Sequence, residues 1–403
     1  MQENTPRDKP PAIFRRLEEL ETMRQQLATD GEVDPFSVQF DRPLSATEAL
    51  WRGRPMTLFG SNNYLGLSFD AACQEAACRA VYEEGTGTTG SRMANGSFAS
   101  HRALEEQLAA CFGFPSCTVF SAGYLANLGV IATLASDVVV LDAESHASIY
   151  DGARLSGADI VPFRHNDPDD LDRRLRRLGP RARGAPVVIE GLYSMMGDTA
   201  PIAEFVAVKE RHGALLVVDE AHSFGVLGAR GCGRAEAEGV LERVDMVVGT
   251  FSKSLAGVGG FATGPHPQWA ALRLASRPYI FTASPSPATV AATRQALSII
   301  ISERGAALRK RLDDNARRLH AGLMGMGWRL GADPGPVVAV ILEDAGHTLH
   351  LWHALLEQGY YVNMMIPPAA PRGLALLRLS LSAAHGETQI DGLLTAFAAL
   401  RQA

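Results

Sequence analysis

The chain lacks any apolar run approaching the ~20 residues that a membrane-crossing helix needs, and its opening MQENTPRDKPP is polar and proline-rich. Neither an integral membrane segment nor an export signal is expected, and the reading is a cytoplasmic protein. Cysteine is scarce. The five (Cys73, Cys78, Cys111, Cys117 and Cys232) are odd in number and none stands in a C-x-x-C pair, which excludes the usual spacing of a zinc site or redox motif. They read as buried or bystander thiols in a reducing cytosol. A basic excess is missing too: 38 Lys plus Arg stand against 44 Asp plus Glu, net charge -6, so nothing announces nucleic acid or an anionic lipid. Any phosphate site must be local. Repeats and low-complexity tracts are absent, and 46% hydrophobic with 20% charged residues is the composition of a soluble globular protein. Its 403 residues are ample for a buried core.

Apolar residues at Ile13, Leu17, Leu20, Met23 and Leu27 fall at helical spacing and predict a helical N-terminal arm over 1–55. From about Phe59 to Gly264, short β-branched runs (SCTVF, DVVVLD, ADIVPF, APVVIEG, ALLVVDE, VDMVVGT, GGFATG) alternate with helical stretches. Continuous apolar strands separated by helices are the pattern of a mostly parallel sheet covered on both faces, since each strand then has two buried sides. An α/β large domain is expected over 56–285. Beyond it, a helical stretch from Pro287 to about Met326, strand candidates VVAVIL and LALLRLS, and an amphipathic helix from Glu387 predict a smaller α+β domain over 286–403.

The segment Gly85-Thr-Gly-Thr-Thr-Gly90 matches G-x-G-x-x-G, but a dinucleotide site needs a strand before those glycines and a helix after them. Here Asp70 to Glu84 reads as helix, and no acidic residue ends a second strand further on. A structural glycine loop is favoured, with an NAD-linked oxidoreductase as a remote alternative.

In ALLVVDEAH an apolar strand ends in Asp219 with His222 three residues on, and ligands of open α/β sheets sit at such carboxyl ends. A lone strand-terminal Asp is often only a turn cap. The next strand, however, runs into FSKSLAGVGG and places Lys253 between Ser252 and Ser254, where little bulk competes with an aldehyde for its amine. Ser121 to Asn127 follows SCTVF and opens a helix, so free N–H groups at Gly123 and Tyr124 could hold a phosphate. A fourth strand end, DAESH, offers His146, either to stack on a flat ring or as a structural histidine. A lysine for an imine, an acid for a pyridine nitrogen and an anion-binding turn are what pyridoxal phosphate requires.

From about Phe59 to Ser284, and more loosely to the C-terminus, the chain resembles the α-oxoamine synthases, on SNNYLGL, TGSRMANGS, DAESHASIYDG, EGLYSMMGD, VDEAHSFGVLG, GTFSKS and RPYIFTAS. These are fold-type I pyridoxal phosphate transferases that condense an amino acid with an acyl-CoA and release CO2. RPYIFTAS and SHASIYDG lean towards the soluble bacterial branch that joins L-serine to palmitoyl-CoA, giving 3-ketodihydrosphingosine. The resemblance implies that Lys253 forms the Schiff base, Asp219 pairs with the pyridinium nitrogen, His222 bonds the ring hydroxyl and His146 stacks over the ring. It implies a phosphate held by Gly123, Tyr124, Thr250 and Ser252, with Thr282 and Ala283 reaching it from a second subunit of a homodimer. Asn63 and Ser194 are implied as further contacts, and Arg378 as the anchor of the amino-acid carboxylate.

One departure bears on substrate. As the resembled pattern runs, an arginine precedes the double proline after the YVN strand, whereas this chain has Ile366. Arg372 on the same loop is the candidate to replace it, and a synthase using glycine, alanine or another acyl thioester stays open. So does a non-catalytic partner subunit, against which the intact Lys253, Asp219 and His222 argue.

Overall fold

The computed structural model describes residues 11–27, 33–367, 370 and 373–401. Helix α1 (Ala12–Leu27) leads, and its Ile13, Leu17 and Leu20 are exposed, since none of the described residues buries their stripe. Residues 1–10 and 28–32 of the segment expected to be a helical arm lie outside the described residues, and from Val33 its described part holds no helix: strands β1 (Arg42–Pro43), β2 (Glu48–Trp51) and β3 (Arg54–Leu58) follow. Such short, proline-punctuated strands have little intrinsic signal, and they exist through pairing. β13 (Tyr360–Tyr361), from the far end of the sequence, joins β3 in parallel to complete the sheet β1-β2-β3-β13.

The central sheet has seven strands: β4 (Ser116–Phe120), β5 (Val138–Asp142), β6 (Asp159–Phe163), β7 (Pro186–Glu190), β8 (Leu215–Asp219), β9 (Met246–Thr250) and β10 (Gly260–Gly264), in the order β4-β10-β9-β8-β7-β5-β6. The run β9-β8-β7-β5-β6 is parallel, as the β-branched text predicts. β10 is antiparallel to both of its neighbours. The connection from Thr250 to Gly260 is too short for the helical crossover that a parallel partner would need. Side chains alternate between two buried faces. Val138, Val140, Val187, Ile189, Leu216 and Val218 join one core, while Val139, Leu141, Val188 and Val217 join another with Ala126, Val130 and Ile149. The latter three belong to α4 (Gly123–Leu134) and α5 (Ala147–Ser156), which cover that face.

Helices α2 (Ala71–Glu84) and α3 (Ala99–Phe112) flank the glycine loop. Helix, not strand, precedes Gly85, so the dinucleotide reading fails on context. The helical stretch expected from Pro287 to about Met326 is made of two helices, Pro287–Ile300 and Glu303–Gly325. Strands β11 (Arg329–Leu330), β12 (Val337–Leu342), β14 (Asn363–Met365) and β15 (Ala375–Ser380) form an antiparallel sheet, β11-β12-β15-β14. Ser380 N–H donates to Phe59 O at 2.6 Å and Ala383 N–H to Tyr64 O at 2.7 Å, so the C-terminal sheet fixes the SNNYLGL loop against it. Among the described residues no helix is long and apolar enough to cross a membrane.

Candidate active site

β4, β5, β7, β8 and β9 all end on one edge of the central sheet, and a cavity of about 280 Å³ opens there. Its walls bring together Gly123, Tyr124, His146, Asp219, His222, Thr250, Ser252 and Lys253. They also include Asn127 and Glu190, which sequence reasoning missed.

Asp219 ends β8 and is buried. Its carboxylate accepts from Asn127 Nδ2 at 2.7 Å and from the Ala221 N–H at 2.9 Å. Asn127 lies one turn into α4, and its Oδ1 is buried with no partner. Glu190 ends β7 and lies opposite Asp219 in register. Burial, and then the charge of Asp219, push its carboxyl well above the ordinary value. Its Oε1 accepts from the His146 N–H at 2.6 Å, which fixes the start of α5. The signal for Glu190 was present in APVVIEG, an apolar strand ending in an acid like that of Asp219.

Lys253 follows β9. Desolvation pulls its amine below the ordinary lysine value, opposed by the charges of Asp219 and Glu190. His222 is buried, and burial followed by the nearby positive charges of Lys253 and Arg378 holds it neutral. Its Nδ1 shares a 2.6 Å hydrogen bond with the Tyr64 hydroxyl. His146 keeps part of its surface in solvent, yet desolvation in the cavity wall also lowers its imidazole; Asp219 opposes the shift and Lys253 adds to it. Nδ1 of that ring faces Ser148, whose N–H donates at 3.2 Å.

At α4 the first backbone bond runs from Ala126 N to Ala122 O, leaving the N–H groups of Gly123, Tyr124 and Leu125 without intrahelical acceptors. The hydroxyls of Thr250 and Ser252, 2.8 Å apart, stand beside them. A Cβ at Gly123 would come within 2.7 Å of the Thr250 side chain, so only glycine keeps this cradle open.

Arg378, on β15, is buried; its Nη2 donates to Asn62 Oδ1 at 3.1 Å, its Nη1 to Ser380 Oγ at 2.8 Å, and its Nε to the backbone carbonyl of Ser194. Ser194 therefore meets this group through its main chain. Asn63, expected as a contact to substrate or cofactor, has its Nδ2 donating to Ser68 Oγ at 2.7 Å, while its neighbour Asn62 faces the arginine and accepts from Tyr64 at 3.2 Å. The loop turns sharply here, with Tyr64 N–H bonded to Asn62 O at 2.8 Å and Gly66 N–H to Asn63 O at 3.0 Å, so the two neighbouring asparagines meet different partners. Neither Thr282 nor Ala283 lines the cavity; the Ala283 carbonyl accepts from Ser121 Oγ. Ile366 is half-buried after β14, and Arg372 lies outside the described residues.

The aminotransferase class I and II family matches residues 54–397. Serine palmitoyltransferase of Caulobacter vibrioides (strain NA1000 / CB15N) is 51% identical over 91% of this chain and 91% of its own. Serine palmitoyltransferase of Sphingomonas paucimobilis is 47% identical over 97% and 93%. A solved serine palmitoyltransferase with its PLP internal aldimine superposes with a TM-score of 0.94 at 46% identity, covering 97% of this chain and 99% of that one. The chain belongs to the aminotransferase class I and II family, within its α-oxoamine synthases.

The residues present fit pyridoxal phosphate. Free N–H groups and hydroxyls at the mouth of α4 suit a phosphate, the buried carboxylate of Asp219 suits a protonated ring nitrogen, and the half-buried amine of Lys253 suits an aldehyde.

Proposed function

We propose that the protein binds pyridoxal 5'-phosphate and catalyses the decarboxylative condensation of L-serine with palmitoyl-CoA, giving 3-ketodihydrosphingosine, CoA and CO2. The convergence of Lys253, Asp219, His222 and the open end of α4 on one cavity carries this reading. The cofactor, when bound, supplies an electron sink for negative charge at the amino-acid α-carbon.

The chain's own groups do the rest. Gly123, Tyr124, Thr250 and Ser252 hold the phosphate, and Asp219, kept in place by Asn127, keeps the ring nitrogen protonated. Lys253 would anchor the cofactor, and the lowered pKa of its amine suits it to act as a base towards the α-proton. Neutral His222, braced by Tyr64, is a hydrogen-bond partner for the ring hydroxyl. His146 covers the ring. Arg378 pairs with the carboxylate, and its ties to Asn62, Ser380 and the Ser194 carbonyl preset the guanidinium before substrate arrives.

The site is completed in a homodimer, with Thr282 and Ala283 serving the partner's phosphate. Tyr124, Val258 and Phe281, all exposed in the single chain, supply apolar surface for a second copy to cover. The setting is the cytoplasm. The test is to follow the visible spectrum of the purified protein as L-serine, glycine and L-alanine are added, then CoA release with palmitoyl-CoA and the mass of the product. Release with serine and a product of 3-ketodihydrosphingosine mass are expected. Faster release with glycine or alanine would transfer the activity to another α-oxoamine synthase.

A further inference from the structure

Cys111 and Cys232 stand 121 positions apart in sequence, yet their sulfurs lie 3.5 Å from each other. Cys111 is in the last turn of α3, and Cys232 is in the glycine turn between Gly228 and Gly233; both are buried. The pair is held from several sides. The Cys232 thiol also lies 3.3 Å from the Cys111 carbonyl, which accepts from Arg230 Nη1 at 3.1 Å, and the Cys232 N–H donates to Glu236 Oε2 at 2.9 Å. A surface cavity of about 420 Å³ is walled by residues that hold or adjoin the pair, Phe112, Arg230 and Glu236 among them, though neither sulfur lines it. The hydrogen bond from Cys232 and the guanidinium of Arg230 favour thiolate at Cys111.

We propose that Cys111 and Cys232 are a reversible redox pair that closes into a disulfide when exposed to a peroxide. The Cys111 thiolate attacks one oxygen of hydrogen peroxide, the O–O bond breaks, and a sulfenic acid forms while the leaving hydroxide takes up the proton that Cys111 gave up on ionising, making one water. The Cys232 sulfur then displaces hydroxide from that sulfenic sulfur, forming the S–S bond and, with its proton, a second water. Two thiols are oxidised by two electrons and one peroxide is reduced to two waters. Closing the bond needs the sulfurs to approach from 3.5 Å to about 2 Å. The bridge would tie α3 to the turn whose next N–H groups, Arg234 and Ala235, hold the Glu220 carboxylate behind Asp219. It therefore stiffens the back of the cavity and leaves its walls untouched.

The experiment uses the full-length protein with its cofactor, carrying Cys78→Ser to remove the exposed thiol. It is treated with graded hydrogen peroxide, alkylated, and digested without reductant for mass spectrometry. A linked Cys111–Cys232 peptide is expected, with the loss of two free thiols, their return on dithiothreitol, and a rise in thermal midpoint of roughly 5 °C from the long loop closed. Cys232→Ala and, independently, Cys111→Ala should abolish both the linked peptide and the rise. Oxidation of either sulfur to a sulfinic acid without linkage, or no loss of these thiols at concentrations that oxidise Cys78 in the unaltered chain, would overturn the proposal.

Discussion

His146 and His165 follow neighbouring strands of the same sheet, β5 and β6, at the same edge, and they have opposite electrostatics. His146 borders the cavity, where desolvation outweighs the pull of Asp219 and its imidazole is lowered. His165 stands between two carboxylates, with Nδ1 2.9 Å from Asp142 and Nε2 2.7 Å from Asp198, and although burial opposes it, these partners raise it to about 10. Tyr193 meets the His165 ring edge-on, and Asn166 adds a bond to Asp198 at 2.8 Å. One histidine is therefore a cation with both ring nitrogens paired to carboxylates, while the other is a neutral ring beside open space. A polar group whose partners are all supplied by the fold contributes to stability. A group whose partners are left out is available for a ligand.

This contrast predicts that changes in the cavity lower turnover while leaving stability almost intact, and that changes at His165 do the reverse. The largest effect is expected for Lys253→Ala, with turnover reduced roughly 10³-fold or more and an unchanged circular dichroism spectrum. Borohydride reduction followed by peptide mapping should label only the peptide containing Lys253 in the parent chain, and nothing in the variant. Asp219→Asn keeps the hydrogen-bonding shape but removes the charge. It should retain cofactor while slowing exchange of the serine α-proton roughly 10²-fold, measured by deuterium incorporation.

Next comes Arg378→Ala. Loss of one charge-assisted contact of about 1.5 to 3 kcal/mol should weaken serine binding roughly 10- to 100-fold in a spectral titration. Ile366→Arg should tighten it about tenfold by adding a second cation near the carboxylate, and unchanged affinity would remove Ile366 from the account of substrate choice. The smallest effect on turnover is expected for His165→Gln, within a few-fold of the parent, because this ring does not line the cavity. Its effect is on stability. A histidine raised on folding stabilises fully below its unfolded pKa, near 6.5, and loses that contribution as pH rises through about 10. Denaturant titrations should show the parent ahead by about 3 kcal/mol at pH 6, with the gap narrowing steadily towards pH 10.

The parts of the site that were legible from sequence are those where a local pattern and a chemical requirement coincide. An apolar strand ending in Asp219, a lysine among small residues after the next strand, and a glycine-led helix after SCTVF each mark a strand end, and strand ends on one edge of a parallel sheet must meet. Glu190 carried the same mark and was overlooked because it had no obvious task. Asn127 and Tyr64 carried none: they matter through Asp219 and His222, which are far from them in sequence.

By itself, then, the sequence determined the alternation of strands and helices, the sheet edge where a ligand binds, and the residue types able to hold that ligand, because periodicity and turn chemistry act over a few residues. The tertiary structure alone decided the antiparallel place of β10, the pairing of β3 with β13, the choice of Asn62 over Asn63 beside Arg378, and the meeting of Cys111 with Cys232. Each of these depends on which of two faces a residue turns to a distant neighbour. A one-residue change of register reverses that face while leaving the local pattern the same.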